Sequence, residues 1–420
     1  MRSAALPLLL LAACNGAGSA APAEAPGGQS IDATGAASPS TPLARAPFRV
    51  EEMGSFDSPW AIAFLPGSAD ALVTEKDGHL KLWRRGGPAV DVAGVPRVVA
   101  GGQGGLLDIV VSPAFAQDAF VYLTYSEPQP AGGSGLALAR ARLVRSGATA
   151  RLDGLQVLWR DPAGGKGGQF GAIVAFAPDG RSLFLSSGER QRFTPAQDPN
   201  QPLGKILHLT LDGKPAAGNP GAGRTGAASV PVFDPPENTG AAASARARNV
   251  TLPGPNLTQA ETWSSGHRNP YGLAFAPDGR LWETEMGPRG GDELNLILPG
   301  RNYGWPVVSN GDNYDGTDIP DHPTQPRFEA PKLWWNPSIS PSSLMIYSGN
   351  LFPQWKGSGF IGALSGEALI RVTFAGGRAS KAEQFDMGTR IRFVAQGPDG
   401  AIWLLEDGSP GRLLRLVPKG

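Results

Sequence analysis

The chain holds a single cysteine, Cys14, so no intramolecular disulfide can brace it. Histidine is nearly as scarce. His79, His208, His267 and His322 are the only four, and none stand at zinc-ligand spacing. The formal net charge is zero, from 37 basic and 37 acidic side chains, so a nucleic-acid partner has no electrostatic support. Beyond the N-terminus no apolar run is long enough to cross a bilayer as a helix. A 3.6-residue hydrophobic period is missing from residue 47 onward, so long amphipathic helices are not expected. Two catalytic signatures are missing too. There is no Gly-X-Ser-X-Gly elbow, and the glycine-rich stretches 101–105 and 164–171 lack the helix and the lysine-serine end of a phosphate loop. Such glycines instead suit close backbone approach to a flat ligand, or a tight connection between strands.

Glycine and proline, by contrast, are plentiful, at 58 and 40 residues. The N-terminus combines Arg2, an apolar core at residues 8–11, and Leu11-Ala12-Ala13-Cys14, a small-residue cleavage site ending in cysteine. This pattern resembles a bacterial lipoprotein signal, with residues 1–13 removed and Cys14 lipidated. An ordinary signal peptide and a buried helix are the alternatives. The lipoprotein reading implies an exported protein tethered by its lipid and not spanning the membrane. Asn15, in place of an aspartate, points to the outer membrane, facing the periplasm. Residues 14–46 are Ala, Gly, Pro, Ser and Thr with hardly a large apolar side chain, and read as a flexible tether.

From residue 47 onward, an apolar run, a Pro/Asp/Gly turn and a second apolar run recur, which is a β-hairpin signal. Six copies stand at 61–74, 109–124, 174–186, 273–284, 344–364 and 394–405. A period of roughly fifty residues with about four strands per unit is propeller spacing. Residues 47–420 are therefore expected to form an all-β, six-bladed propeller of four-stranded antiparallel blades, with a large sandwich as the alternative. Residues 48–53 precede the first copy and are placed to pair with the last blade and close the ring. Residues 212–259, rich in Gly, Ala and Pro, read as a long insertion loop, and the acidic stretch 310–328 as a shorter one.

The densest chemistry lies between residues 261 and 305. It holds His267-Arg268-Asn269, then Gly287-Pro288-Arg289-Gly290-Gly291-Asp292-Glu293, then Asn302-Tyr303-Gly304-Trp305. The 287–293 loop has calcium-loop character, since glycines free the backbone to aim carbonyls at a hard cation. A tight turn with an Arg289–Asp292 pair is the other reading. Arg390 and Arg392 flank Ile391, so at a strand period of two both guanidiniums share one face. With Arg268 they suit a ligand bearing several carboxylates. Surface arginines on an edge strand are the alternative.

Seven ordered blocks resemble the soluble, pyrroloquinoline-quinone (PQQ)-dependent sugar dehydrogenases, the glucose/sorbosone or aldose sugar dehydrogenase family. They are Gly102-Gln103-Gly104-Gly105-Leu106-Leu107, Ala196-Gln197-Asp198 with Leu203-Gly204-Lys205-Ile206-Leu207, Gly266-His267-Arg268-Asn269-Pro270, the 287–293 loop, Asn302-Tyr303-Gly304-Trp305, Asn336-Pro337-Ser338-Ile339 and Arg390-Ile391-Arg392. The similarity runs from about residue 55 to residue 416. The resemblance implies a six-bladed propeller with PQQ over its central opening and Arg268, Arg390 and Arg392 on the cofactor carboxylates. Gln103, Gln191 and Asn269 would be polar cofactor contacts. The carbonyls of Gly287 and Pro288 would hold the Ca²⁺ that bridges to the cofactor, and Glu293 and Tyr303 match positions tied to a second, structural calcium. The implied reaction oxidises the anomeric hydroxyl of an aldose to a lactone, by hydride transfer to the quinone, and an electron acceptor then regenerates the cofactor.

Two positions depart from that pattern. Gln169 stands where the family carries its base, a histidine, and a carboxamide gains no proton near neutral pH. Ser365 stands where a cofactor-binding lysine can occur, and it lacks both reach and charge. Three functions remain open: a dehydrogenase using another base, with Glu189 the candidate; a catalytically impaired propeller binding a ligand or partner; and calcium-assisted lactone hydrolysis.

Overall fold

The structure is a computed structural model, and it describes residues 35–36, 38–130, 132–162, 164–233, 235, 246–252 and 254–420. The signal segment, Cys14 and most of the tether lie outside the described residues. Strands dominate, as the missing helical period implies. Among the described residues they form six four-stranded antiparallel meanders. Five run along the chain at 59–93, 106–160, 171–265, 270–335 and 341–386; the sixth joins 391–418 to the strand Phe48–Phe56. The leading strands of the meanders are Pro59–Phe64, Leu106–Val111, Gly171–Phe176, Pro270–Phe275, Pro341–Ile346 and Ile391–Gln396. They pack against one another in that order, and the last packs on the first, so the meanders stand in a ring. Phe48–Phe56 pairs antiparallel with Gly411–Pro418, from Phe48 opposite Pro418 to Phe56 opposite Gly411, and closes it.

Turn chemistry explains the repeat. In Ala177-Pro178-Asp179-Gly180, Ala276-Pro277-Asp278-Gly279 and Gly397-Pro398-Asp399-Gly400, the glycine N–H donates to the first residue's carbonyl at 2.8–3.0 Å. The aspartate carboxylate accepts the N–H two residues on, at 3.0–3.1 Å. Each of the three glycines holds a φ between 68° and 81°, which a side chain would resist. Between meanders the facing sides are apolar, with Trp282, Trp335 and Trp403 among the largest wholly buried side chains.

One irregularity recurs around the ring. Every leading strand shifts register near its first residues, at Pro59/Ala61, Leu106/Ile109, Gly171/Val174, Pro270/Gly272, Pro341/Ser343 and Ile391/Phe393. A bulge kinks its strand and re-aims the side chains beside it. All six leading strands are therefore kinked at the same end.

Three expectations change. The tether ends before residue 46. Ser40–Pro42 pairs parallel with Arg378–Asp386 at the outer edge of the fifth meander, and Ala46 is buried. The 212–259 insertion is not wholly loop, since Ser229–Phe233 and Ala247–Thr251 form an antiparallel hairpin. Blades were expected as separate four-stranded sheets, but the first two meanders merge into one eight-stranded sheet. The strands Ser134–Ser146 and Thr149–Arg160 are long enough for the second to pair with Val90–Ala93 of the first meander.

Candidate active site

The bulged strand ends and the loops entering them enclose two adjoining cavities. One, of about 530 Å³, is lined by Trp60, Lys76, Tyr271, Arg390, Arg392 and Asp407 among others. The other, of about 500 Å³, is lined by Gln169, Arg268, Asn269, the 287–290 loop and Ser365. Gln103, Met286, Tyr314 and Ser340 border both, so the two form one mouth. A larger cavity of about 600 Å³, around Trp159 and Glu261, touches none of the candidate residues and lies apart from this chemistry.

The mouth is electropositive. Lys76, Arg390 and Arg392 line the first cavity and Arg268 and Arg289 the second, against Asp407 as the one carboxylate. Arg390 Nε donates to Asp407 Oδ2 at 2.7 Å, and Arg392 Nη2 to Oδ1 at 2.6 Å. The two arginines thus meet on one carboxylate, although Arg390 precedes the strand and a bulge lies at Ile391/Phe393. Burial pushes Asp407 up, but Arg392 and Arg390 together hold it below the usual carboxylate range. Arg392 also lies 4.4 Å over the Trp60 ring, which fixes its plane. Sequence reading missed Asp407, though the hairpin register could have found it: Ile391 pairs with Glu406, and the Asp407 N–H donates to Arg390 O at 2.9 Å.

Arg268 works differently. Its Nη1 donates to Met286 O at 3.0 Å and Gly287 O at 2.7 Å, and its Nη2 to Tyr314 Oη at 3.2 Å. The guanidinium lies over Trp305 and Tyr314, 5.2 and 5.7 Å from their ring centres. Tyr314 was missed because only the acidic residues of its loop attracted notice.

The 287–293 loop is organised by Asp292, whose carboxylate accepts N–H groups from Gly287, Ile339 and Ser340 at 2.7–2.8 Å. Burial raises its pKa to about 6 against the pull of those amides. The Arg289–Asp292 pair of the tight-turn reading is not formed. A Cβ on Gly287 would fall 2.2 Å from Gly290 O, so the loop closes this way only with glycine there. The carbonyl set suits a hard cation, but on Gly287 O the Arg268 guanidinium already supplies the positive charge. Calcium at Gly287 and Pro288 would have to take that oxygen from Arg268. Glu293 and Tyr303 border a separate cell of about 10 Å³, room for one small ion or water. The Tyr303 hydroxyl is not free for an ion, since it donates to Leu296 O at 2.5 Å and accepts from Leu298 N at 2.9 Å.

Gln169 borders the second cavity from a loop of unusual backbone. Gln169, Arg190, Gln191 and Phe193 all hold φ values between 52° and 63° without being glycine. Arg190, wholly buried, braces the loop by donating to the carbonyls of Gly165, Gly167 and Gly168 while lying over the Phe170 ring. Gln103 accepts the Gln169 N–H at 2.6 Å and the Tyr271 hydroxyl at 3.2 Å. Asn269 accepts the Gly171 N–H at 3.2 Å. Gln191 does not reach either cavity; its side chain accepts the Gly168 N–H at 2.8 Å and supports the loop from behind. Glu189, the candidate substitute base, is 1% exposed and lies behind Gln169, outside both cavities. Burial raises its pKa, opposed by Arg268 and the N–H groups of Phe193, Arg192 and Gln191. Ser365 lines the second cavity but spends its hydroxyl on Ser340 Oγ and Ser338 O.

Comparison with known proteins places this constellation. Residues 56–233 and 242–415 match the family described as Glucose / Sorbosone dehydrogenase. Aldose sugar dehydrogenase YliI of Escherichia coli K12 is 36% identical over 371 residues, covering 86% of this chain and 91% of its own. The apo crystal structure of the soluble aldose sugar dehydrogenase from Escherichia coli superposes with a TM-score of 0.75 at 34% identity, over 89% of this chain and all of that one. The PQQ-bound aldose sugar dehydrogenase of Streptomyces coelicolor gives 0.65 at 28% identity, over 89% and 100%. With its β-propeller architecture and its ordered site motifs, the chain belongs to the glucose/sorbosone dehydrogenase family.

Proposed function

We propose that the protein is a PQQ-dependent aldose sugar dehydrogenase whose proton-transfer step is impaired, built on a six-bladed propeller in which each meander is one blade. The observation that carries this is the charge of the mouth: five cationic side chains against one carboxylate, over two joined cavities. That surface suits a flat ligand with several carboxylates. Arg390 and Arg392, both bonded to Asp407, would grip one end, and Arg268 the other. When bound, PQQ supplies the hydride acceptor for oxidation of an anomeric hydroxyl to a lactone. Calcium would sit on the Gly287 and Pro288 carbonyls once Arg268 turns to the cofactor. Cys14 would carry a lipid that tethers the exported protein to the outer membrane, where an electron acceptor reoxidises the cofactor.

The chain's own residues limit the rate. Gln169 can hold a hydroxyl oxygen through its amide but cannot take its proton. Asp407 is held ionised by its arginines and is a weak base. Tyr271 is pushed to about 12 by burial, so it stays protonated at neutral pH. A histidine does not line the mouth among the described residues. The second reading, a propeller that binds ligand without turnover, is favoured by the enclosure of Glu189 behind Gln169. Titration of the calcium-loaded protein with PQQ, followed by reduction of an artificial acceptor with several aldoses, separates the two. Slow aldose-dependent reduction supports the first. Tight cofactor binding with no reduction supports the second, and absence of PQQ binding defeats both.

A further inference from the structure

Behind the mouth, Leu281–Glu285 and Asp292–Ile297 form the hairpin whose loop makes part of the rim. Residues two apart on a strand share a face, so Glu283, Glu285, Glu293 and Asn295 all point the same way. Register sets Glu285 opposite Glu293 and Glu283 opposite Asn295. All four are buried, Glu283 and Asn295 completely. The Asn295 amide nitrogen lies 3.1 Å from Glu283 Oε2, 3.2 Å from Glu285 Oε1 and 3.1 Å from Glu293 Oε2. That nitrogen carries two hydrogens, so three carboxylates compete for two bonds. Glu283 Oε1 and Asn295 Oδ1 have no hydrogen-bond partner among the described residues. His267 completes the group, with Nδ1 at 3.1 Å from Glu285 Oε1 and Nε2 at 2.9 Å from Ser264 Oγ. Ligand atoms of His267, Glu283 and Glu285 all lie within 4.8 Å of one another.

Glu285 Oε2 also accepts the Arg268 and Asn269 N–H groups, and Glu293 Oε1 meets His322 Nε2 at 3.2 Å. Glu283 has no such support, and a carboxylate this deep and this poorly bonded is costly unless it is protonated or a positive charge sits beside it. We propose that His267, Glu283 and Glu285, with the Asn295 amide turned to present its oxygen, form a buried site for a divalent transition-metal ion. Two glutamates neutralise a 2+ charge, and the imidazole selects a first-row ion such as Zn²⁺ or Mn²⁺ over calcium. Ser264, bonded to the far nitrogen, orients the ring as a supporting hydroxyl would around a metal-bound histidine. The site adjoins the small cell beside Glu293 and Tyr303, which Glu285 also borders but His267 and Glu283 do not. Its ion would tie the two strands of the hairpin to the 266–269 segment, and so hold the rim on which Arg268 stands.

The test uses the whole chain, stripped with chelator, free of PQQ, and equilibrated with Zn²⁺ or Mn²⁺ alone before desalting. Elemental analysis is expected to find one retained equivalent, with Tm raised by several degrees over the stripped protein. Glu283→Gln, nearly isosteric, should lose both effects. Asn295→Asp, which adds a carboxylate, should lower the metal-free Tm yet bind the ion more tightly than wild type. The proposal is overturned if wild type retains no ion. It is equally overturned if Glu283→Gln retains it unchanged, or raises Tm alike with and without metal, as a merely protonated glutamate would require.

Discussion

Gln169 and Glu189 form a closed pair. In the orientation its surroundings favour, the Gln169 amide donates to Glu189 Oε1 while its oxygen accepts from Arg268 Nη2 at 2.8 Å. A buried carboxylate thus addresses the side chain at the cavity wall, the arrangement that would hold an imidazole in one tautomer and stabilise its protonated form.

Installing an imidazole there is the first prediction. Gln169→His should place an imidazole between Glu189 and the cavity, and general-base catalysis is typically worth about 10²–10⁴-fold. In the PQQ-loaded protein kcat for an aldose should rise by that order. The variant's kcat should also gain an acidic limb as pH falls through the histidine range, a limb the wild type lacks. Equal rates in the two proteins would remove the proton-transfer explanation for slow turnover.

A second prediction concerns Arg390 and Arg392. Their side chains are 45% and 10% exposed, so water competes far more at Arg390. A hydrogen bond to a charged group contributes about 1.5–3 kcal/mol, or roughly 10–100-fold in affinity. Arg392→Gln should weaken PQQ binding by that range, and Arg390→Gln by clearly less. Added salt should narrow the gap to wild type most for Arg390, since exposed charges are screened first. Equilibrium titration at low and high salt checks both statements.

How much of this was written in the chain varies residue by residue. The Pro-Asp-Gly turns were legible because each fixes its own backbone through a local carboxylate and a positive-φ glycine. The arginine pair was legible from a strand period of two, although Arg390 precedes the strand Ile391–Gln396 and a bulge follows Ile391, so it is Asp407 that holds the two together. Tyr314, Lys76 and Trp60 were not, because separate loops bring them to the mouth and no local pattern marks them. Glu189 shows the limit most sharply. Its type suggested a base, but burial decides whether a carboxylate can meet substrate, and burial is set by the fold around it. The tether's end escaped notice for the same reason. Ser40–Pro42 is strand only because the edge of the fifth meander offers it partners.

A third prediction uses Asp108, which joins two leading strands by accepting N–H groups from Ile109 at 2.9 Å and Val174 at 2.8 Å. Burial raises its pKa from 3.8 to about 6. The folded state therefore binds a proton that the unfolded state has released over this interval. The associated stability is fully present below about pH 4 and is lost as pH rises through 6. The shift corresponds to a loss of about 3 kcal/mol. Asp108→Asn cannot titrate, so the stability advantage of wild type over the variant should be largest near pH 4 and shrink toward pH 7. Urea unfolding of both proteins at the two pH values measures it; an advantage that grows with pH would contradict the assignment.

Lys205 supports the last prediction. It is 1% exposed, and its ammonium donates to the carbonyls of Pro195 at 2.8 Å, Ala196 at 2.9 Å and Leu203 at 2.9 Å. Three acceptors need three hydrogens, which only the protonated amine has. Burial lowers its pKa to about 7 against the pull of Asp198, so the lysine is a cation at the centre of a carbonyl cage only while its three carbonyl bonds hold the proton. That cage is joined to the mouth: Ala196 O also accepts the Gly266 N–H at 3.1 Å, and Gly204 O the His267 N–H at 3.2 Å. Lys205→Met keeps the length of the side chain but leaves Leu203 O without a donor, at roughly 1–3 kcal/mol, while Pro195 O and Ala196 O keep only the N–H groups of Asp198 and Gly266. Removing the desolvated charge returns part of that, for an expected net loss of about 1 kcal/mol. Because the same loop seats the segment leading to Arg268, PQQ affinity should fall together with Tm. Thermal unfolding and cofactor titration on one preparation test the link. A variant that loses stability yet binds PQQ as tightly as wild type would show that the cage holds only its own loop.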